Sequence, residues 1–169
     1  MISAQHLFSR TSQAPVATKT LCVSDFLTEK NIVFFPARLD KADIFKELIA
    51  SMDLDDPELA LKEVLYRELW GRTLIAPGLA IPHARISGIT QIVASIGIRQ
   101  KGIADPTDTE KRPSIYLVFL GPVNNMQQHL AFLAAVSSLF QTKGLTEDLM
   151  RLTSPASILG RLHAAEETL

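Results

Sequence analysis

The sequence predicts an α/β domain, a β-sheet covered by helices, on three observations. Short apolar runs of strand character alternate with stretches whose apolar residues recur at helical spacing. The run Ser114-Ile115-Tyr116-Leu117-Val118-Phe119-Leu120 is β-branched, aromatic and nearly apolar throughout, as a central strand covered on both faces requires. The chain has 169 residues, 47% of them hydrophobic, which suits one domain and lets it bury a core without disulfides or metals.

The elements follow in order. Ser24 is placed to cap a short helical turn ahead of Ile32-Val33-Phe34-Phe35, a predicted strand. Asp40 then opens a helix with Ile44, Leu48, Ile49 and Met52 on one face. Asp56-Pro57 is a cap followed by proline at the first helical position, and the helix it starts carries Leu61, Val64, Leu65 and Glu68 towards Gly71. Thr73-Leu74-Ile75 and Leu79-Ala80-Ile81 read as short extended pieces about an Ala76-Pro77-Gly78 turn. Gln91 to Ile98 reads as a strand and Arg99 to Pro113 as a charged loop. After Gly121-Pro122, a helix is predicted from about Asn125 to Gln141, its stripe formed by His129, Leu133, Val136 and Phe140. Thr146 to Leu152 reads as another helix, and Ser154-Pro155 caps a last one ending near Glu166.

Formal net charge is −1, with 17 basic and 18 acidic side chains, so no bulk attraction to nucleic acid or an anionic membrane is expected. Cys22 is alone, which excludes an intramolecular disulfide and a cysteine zinc site and suits a reducing compartment. No apolar run approaches the roughly 18 residues of a membrane helix, and a cytoplasmic location is expected. Met1 to Thr20 has no acidic residue and several Ser and Thr. A transit peptide shares that composition, but the favoured reading of residues 1–22 is a disordered extension ahead of one domain over 23–169.

Four histidines bound the chemistry. His6 lies in the tail, and His163 among charged residues of the last helix, where a solvated side chain is the default. His83 follows Ile81-Pro82, and proline, with its fixed φ, is expected to turn the strand through a stiff corner that presents the imidazole. A neutral imidazole is a nucleophile at physiological pH. On these local features alone, a hydrogen-bonded structural histidine is somewhat favoured. His129 stands in the first turn of its helix after a buried strand, where an anion is welcomed by free N–H groups. A phosphate ligand and a mere top to the apolar stripe weigh equally there. Arg67 has the fork to grip phosphate oxygens, yet by itself a surface pair with Glu63 or Glu68 is favoured.

The chain lacks a Gly-x-x-x-x-Gly-Lys-Ser/Thr loop, a Gly-x-Gly-x-x-Gly fingerprint, a Gly-x-Ser-x-Gly elbow and a His-Glu-x-x-His pair. No cofactor or metal is therefore expected, and a phosphoryl donor would be another protein.

Taken together, Arg67-Glu68-Leu69-Trp70-Gly71-Arg72-Thr73-Leu74-Ile75-Ala76-Pro77-Gly78-Leu79-Ala80-Ile81-Pro82-His83-Ala84-Arg85 resembles the signature of enzyme IIA domains of the phosphoenolpyruvate-dependent phosphotransferase system, of the fructose, mannitol and nitrogen-regulatory type. The Arg-Glu pair lies 16 residues before His83, and His129-Leu130, 46 residues after it, is similar to the family's second histidine segment. Val23-Ser24-Asp25-Phe26-Leu27-Thr28 resembles the family's usual start, so the likeness runs from about Val23 to Ala165. Family members often have Ile-Gly-x-Gly where this chain has Ile75-Ala76-Pro77-Gly78. The resemblance overturns the structural reading of His83.

It implies a mixed sheet with helices on both faces. It implies that His83 is phosphorylated at Nε2, as a tele-phosphohistidine, by an HPr-type phosphocarrier protein, with His129 and Arg67 holding phosphoryl oxygens. The group then passes to a cysteine of an enzyme IIB, or the phosphorylation state governs a regulated target protein. With no IIB or transporter sequence following, the nitrogen or metabolic regulatory role leads; a sugar-specific IIA serving a separate IIB is the alternative. A non-phosphorylated binding module of the same fold is a rival from another class, as is a His-based or metal-assisted hydrolase, which needs a carboxylate near His83. Ile75, Leu79, Ile81 and Val123, beside the motif, are expected to form the apolar rim on which partners dock.

Overall fold

A computed structural model describes residues 21–36, 39–71, 74–76, 78–99 and 113–169. Its centre is the strand β6, Ile115–Pro122, whose eight residues are all buried, as the apolar run requires. β6 lies antiparallel to β5 (Val93–Arg99), which in turn pairs in parallel with β1 (Ile32–Phe35). On its other side β6 is parallel to β3 (Leu79–Ala80) and β4 (His83–Ile86), and β2 (Leu74–Ala76) lies antiparallel to β3. The sheet is therefore mixed. Thr73, Pro77 and residues 100–112 of the expected loop lie outside the described residues.

Residues of opposite parity along β6 build two cores. Tyr116, Val118 and Leu120 face α1 (Lys41–Ala50) and α2 (Pro57–Leu69), meeting Phe45, Leu48, Ile49 and Val64. Ile115, Leu117 and Phe119 face α3 (Met126–Leu139), α4 (Leu145–Leu149) and α5 (Pro155–Glu166). Helices thus cover both faces, and the period of two along a strand divides the apolar residues between them.

The helix starts follow the capping rules. Asp56 Oδ1 accepts from the Leu59 amide at 2.9 Å, Asn125 Oδ1 from Gln128 at 3.0 Å and Ser154 Oγ from Ser157 at 3.2 Å. Asp40 stands at the start of α1 without a side-chain cap bond.

Several local expectations change. Ser24 caps nothing: it lies inside a 3-10 turn, Val23–Phe26, and its buried hydroxyl donates to the Glu166 carboxylate and lies 2.9 Å from His163 Nδ1. That contact ties the first described turn to α5, so His163, though exposed, has a partner within the fold. In α3 the buried residues are His129, Phe132, Val136 and Leu139, so the stripe turns from Leu133 to Phe132, which meets Phe119. The helix expected over 146–152 is the shorter α4.

Pro82 makes no corner. Leu79 lies opposite Ile115 and His83 opposite Phe119, so β3 and β4 keep one register against β6. Proline removes only a donor from this line, and its carbonyl still accepts from the Phe119 amide at 3.2 Å. Leu21 packs on the α3 side of the core, while residues 1–20 of the expected extension lie outside the described residues.

Candidate functional site

His83 opens β4, half-buried, on the sheet face that carries α3. Its ring stacks on Phe119, its partner across the parallel pair, with centroids 5.2 Å apart and planes 14° from parallel. Its Nδ1 lies 2.8 Å from the Ile81 carbonyl. A carbonyl only accepts, so Nδ1 carries the proton and the lone pair sits on Nε2. The strand break supplies the nucleophile's tautomer as well as its position.

α3 brings the second imidazole. β6 ends at Pro122, the chain turns, and α3 folds back over β6, so that His129 stands above Phe119 and Gly121. The two histidine rings are 5.3 Å apart at 57°. His129 is only 6% exposed, and its Nδ1 is buried without a hydrogen-bond partner. An unpaired lone pair there costs less than an unpaired N–H, which places the proton on Nε2.

Arg67, in the last turn of α2, is exposed. Glu68 pairs with Lys41. Burial holds the His83 imidazole below its ordinary value; Arg67 pushes the same way, opposed by the Ile81 carbonyl and the Glu68 carboxylate. Burial first, then His83, Arg85 and Arg67, push His129 down to about 4. Both rings are therefore neutral near pH 7, and Arg67 is felt by each. Glu68 also supplies a carboxylate whose charge reaches His83, which the sequence had given no reason to place there.

His83, His129 and Arg67 thus lie within electrostatic reach of one another. Arg85 and Phe119 join them unannounced. Arg85 follows His83 by two strand positions, so it shares a face, and it donates to the Val123 carbonyl at 3.2 Å. That spacing was a readable signal. Nothing in the sequence pairs Phe119 with His83, because the register across β4 and β6 is a tertiary fact.

The expected apolar rim is wrong in part. Leu79 and Ile81, on the same sheet face as His83, are fully buried because the helices of the α3-side core cover that stretch of it. Val123 is exposed, and Ile75's side chain lies outside the described residues. Further exposed apolar side chains sit in the helix turns that carry Arg67 and His129: Tyr66, Leu69 and Trp70 in one, Met126 and Leu130 in the other.

A depressed imidazole has a sign to its pH effect. The unfolded chain binds a proton below about pH 6.5 that folded His129 refuses until about 4, so stability falls as pH drops through that window. Thermal denaturation between about pH 7 and about pH 4 should show a steeper loss in wild type than in His129→Ala, and equal slopes would contradict the assignment.

The sequence model of the family described as "Phosphoenolpyruvate-dependent sugar phosphotransferase system, EIIA 2" matches residues 25–164. A fructose-specific EIIABC component of the phosphotransferase system from Bacillus subtilis is 25% identical over 145 residues, which cover 81% of this chain and 22% of that protein. The chain thus corresponds to about a fifth of that relative's length. A fructose-specific EIIA component from Haloferax volcanii is 25% identical over 105 residues, covering 62% of this chain and 68% of that one. Among solved structures, the nitrogen regulatory protein IIA-Ntr from Neisseria meningitidis superposes with a TM-score of 0.69 at 23% identity, over 83% of this chain and 98% of that one. No helix among the described residues is long and apolar enough to cross a membrane.

Proposed function

The chain belongs to the phosphoenolpyruvate-dependent sugar phosphotransferase system EIIA 2 family, and on that premise we propose that His83 carries a phosphoryl group at Nε2 between two proteins. The donor is an HPr-type carrier's phosphohistidine. The observation that carries the proposal is the Ile81 carbonyl on His83 Nδ1, which leaves Nε2 as a neutral, oriented nucleophile.

The Nε2 lone pair forms a bond to phosphorus while the bond to the donor's ring nitrogen breaks, its electron pair returning to that ring. His83 keeps its Nδ1 proton, shared with the Ile81 carbonyl. Positioning and charge stabilisation are what such a transfer asks of a protein. The neutral His129 donates from Nε2 to a phosphoryl oxygen, and Arg67 offsets the charge of the others. His129→Ala and Arg67→Ala should each fold and yet slow transfer roughly 10²-fold, as loss of one such donor does. Wild-type rates in both would demote the pair to structural residues.

Tyr66, Leu69, Trp70, Val123, Met126 and Leu130, exposed in the segments that carry Arg67 and His129, form the surface on which carriers dock. Leu69, 83% exposed, is replaceable without loss of core contacts, so Leu69→Lys should weaken transfer while shifting stability by less than about 0.5 kcal/mol. An unchanged transfer rate would move the docking surface elsewhere.

Two fates remain for the group. The fructose-specific naming of the two relatives favours an enzyme IIB cysteine as acceptor; the regulatory role instead uses the phosphorylation state to govern a target protein. Mixing the labelled protein with a fructose-type IIB separates them. Rapid movement of label to IIB supports the transporting role, and retained label supports the regulatory one.

A further inference from the structure

We propose that Gly121 is a positioning residue for His129, fixing by its lack of a side chain where the second imidazole stands beside His83. The inference rests on the reading of His129 as a phosphoryl ligand.

Phe119 and Gly121 are two positions apart on β6 and so share the face under α3. His129 lies between them. A Cβ on residue 121 would stand 2.6 Å from His129 Nδ1, 3.4 Å from His129 Cβ and 3.3 Å from Ile92 Cδ1. His129 Cβ, in ordinary contact at 3.4 Å, stays with its held backbone, so the ring itself must swing away from residue 121. The His129 amide donates to the Asn125 carbonyl at 3.3 Å in the capped first turn of α3.

Escape the other way is closed. The Phe119 ring lies 4.9 Å from His129, and it is wedged against Phe132 at 4.8 Å and His83 at 5.2 Å. The imidazole thus lies in a slot between Gly121 and the Phe119 ring. No hydrogen bond at Nδ1 orients it, so these walls set its angle. Any side chain at 121 pushes the ring off its line to His83, and a displacement near 1 Å is enough to slow a positioned reaction greatly.

The test compares Gly121→Ala, His129→Ala, the double variant, and Gly121→Ala with Phe119→Leu added. Transfer from the phosphorylated HPr-type carrier is timed, and the His129 ring is followed by nitrogen–proton correlation spectra. Gly121→Ala should slow transfer roughly tenfold to 10²-fold and shift the His129 ring signals. With His129 already removed, the alanine at 121 should add no further loss, because its main obstacle is gone. Phe119→Leu should restore part of the rate by reopening the slot. Wild-type transfer with unmoved His129 signals would overturn the proposal. So would losses that simply multiply in the double variant, the mark of a general structural effect. If His129→Ala itself transfers at the wild-type rate, the phosphoryl-ligand reading fails. The ring signals then decide the packing alone: a shift in Gly121→Ala sustains it and none refutes it.

Discussion

His83→Ala should take up no label from phosphoenolpyruvate passed through enzyme I and an HPr-type carrier, while remaining folded. The imidazole is half-buried at the start of β4, so its removal costs packing against Phe119 but leaves both cores intact. A stability loss of about 1 kcal/mol is the expected scale. His129 cannot stand in as acceptor. It is nearly fully buried, and the Nδ1 that holds its lone pair faces Gly121 rather than an approaching phosphorus. Label stably bound in the alanine variant would therefore refute His83 as the carrier, whereas a wild type that stays unlabelled would revive the non-phosphorylated binding module.

Phe119→Ala should produce the largest loss of stability, about 3–5 kcal/mol by the usual cost of emptying an aromatic site. The ring is fully buried in the middle of the central strand. It touches Phe132 and both imidazoles, so the cavity opens beneath the site as well as in the core. Against a total stability of about 5–15 kcal/mol, that is a large share. Urea unfolding should show a lower midpoint with an unchanged slope, and a loss below about 1 kcal/mol would mean that the core closes over the gap. Phe119→Leu keeps much of the volume and should lie well between, which makes it usable as the compensating change beside Gly121→Ala.

The order of elements was legible because each carries a local signal. Asp56-Pro57, Asn125 and Ser154-Pro155 announce helices that their side chains do cap. The apolar run around Val118 announces the buried centre of the sheet. Ser24 misled because a hydroxyl suited to capping found a carboxylate far along the chain, Glu166, once α5 had docked. Leu79 and Ile81 misled because they share His83's face of the sheet, and only the docking of helices on that face decides that their stretch of it is covered. Pro82 misled because its fixed φ was read as a corner, whereas pairing with β6 holds the line straight through it.

The sequence by itself determined the α/β alternation and the capped helix starts, which rest on short-range physics: periodicity and side-chain caps. That Arg67, His83 and His129 belong to one site was an expectation carried by the family resemblance, since local features alone favoured structural readings of His83 and Arg67. Only the tertiary structure decided that Phe119 lies under His83, that Gly121 leaves room for His129, and that the Ile81 carbonyl selects the His83 tautomer. Those depend on strand register and on α3 folding back over β6, where residues distant in sequence meet at van der Waals range and no local preference specifies the pairing.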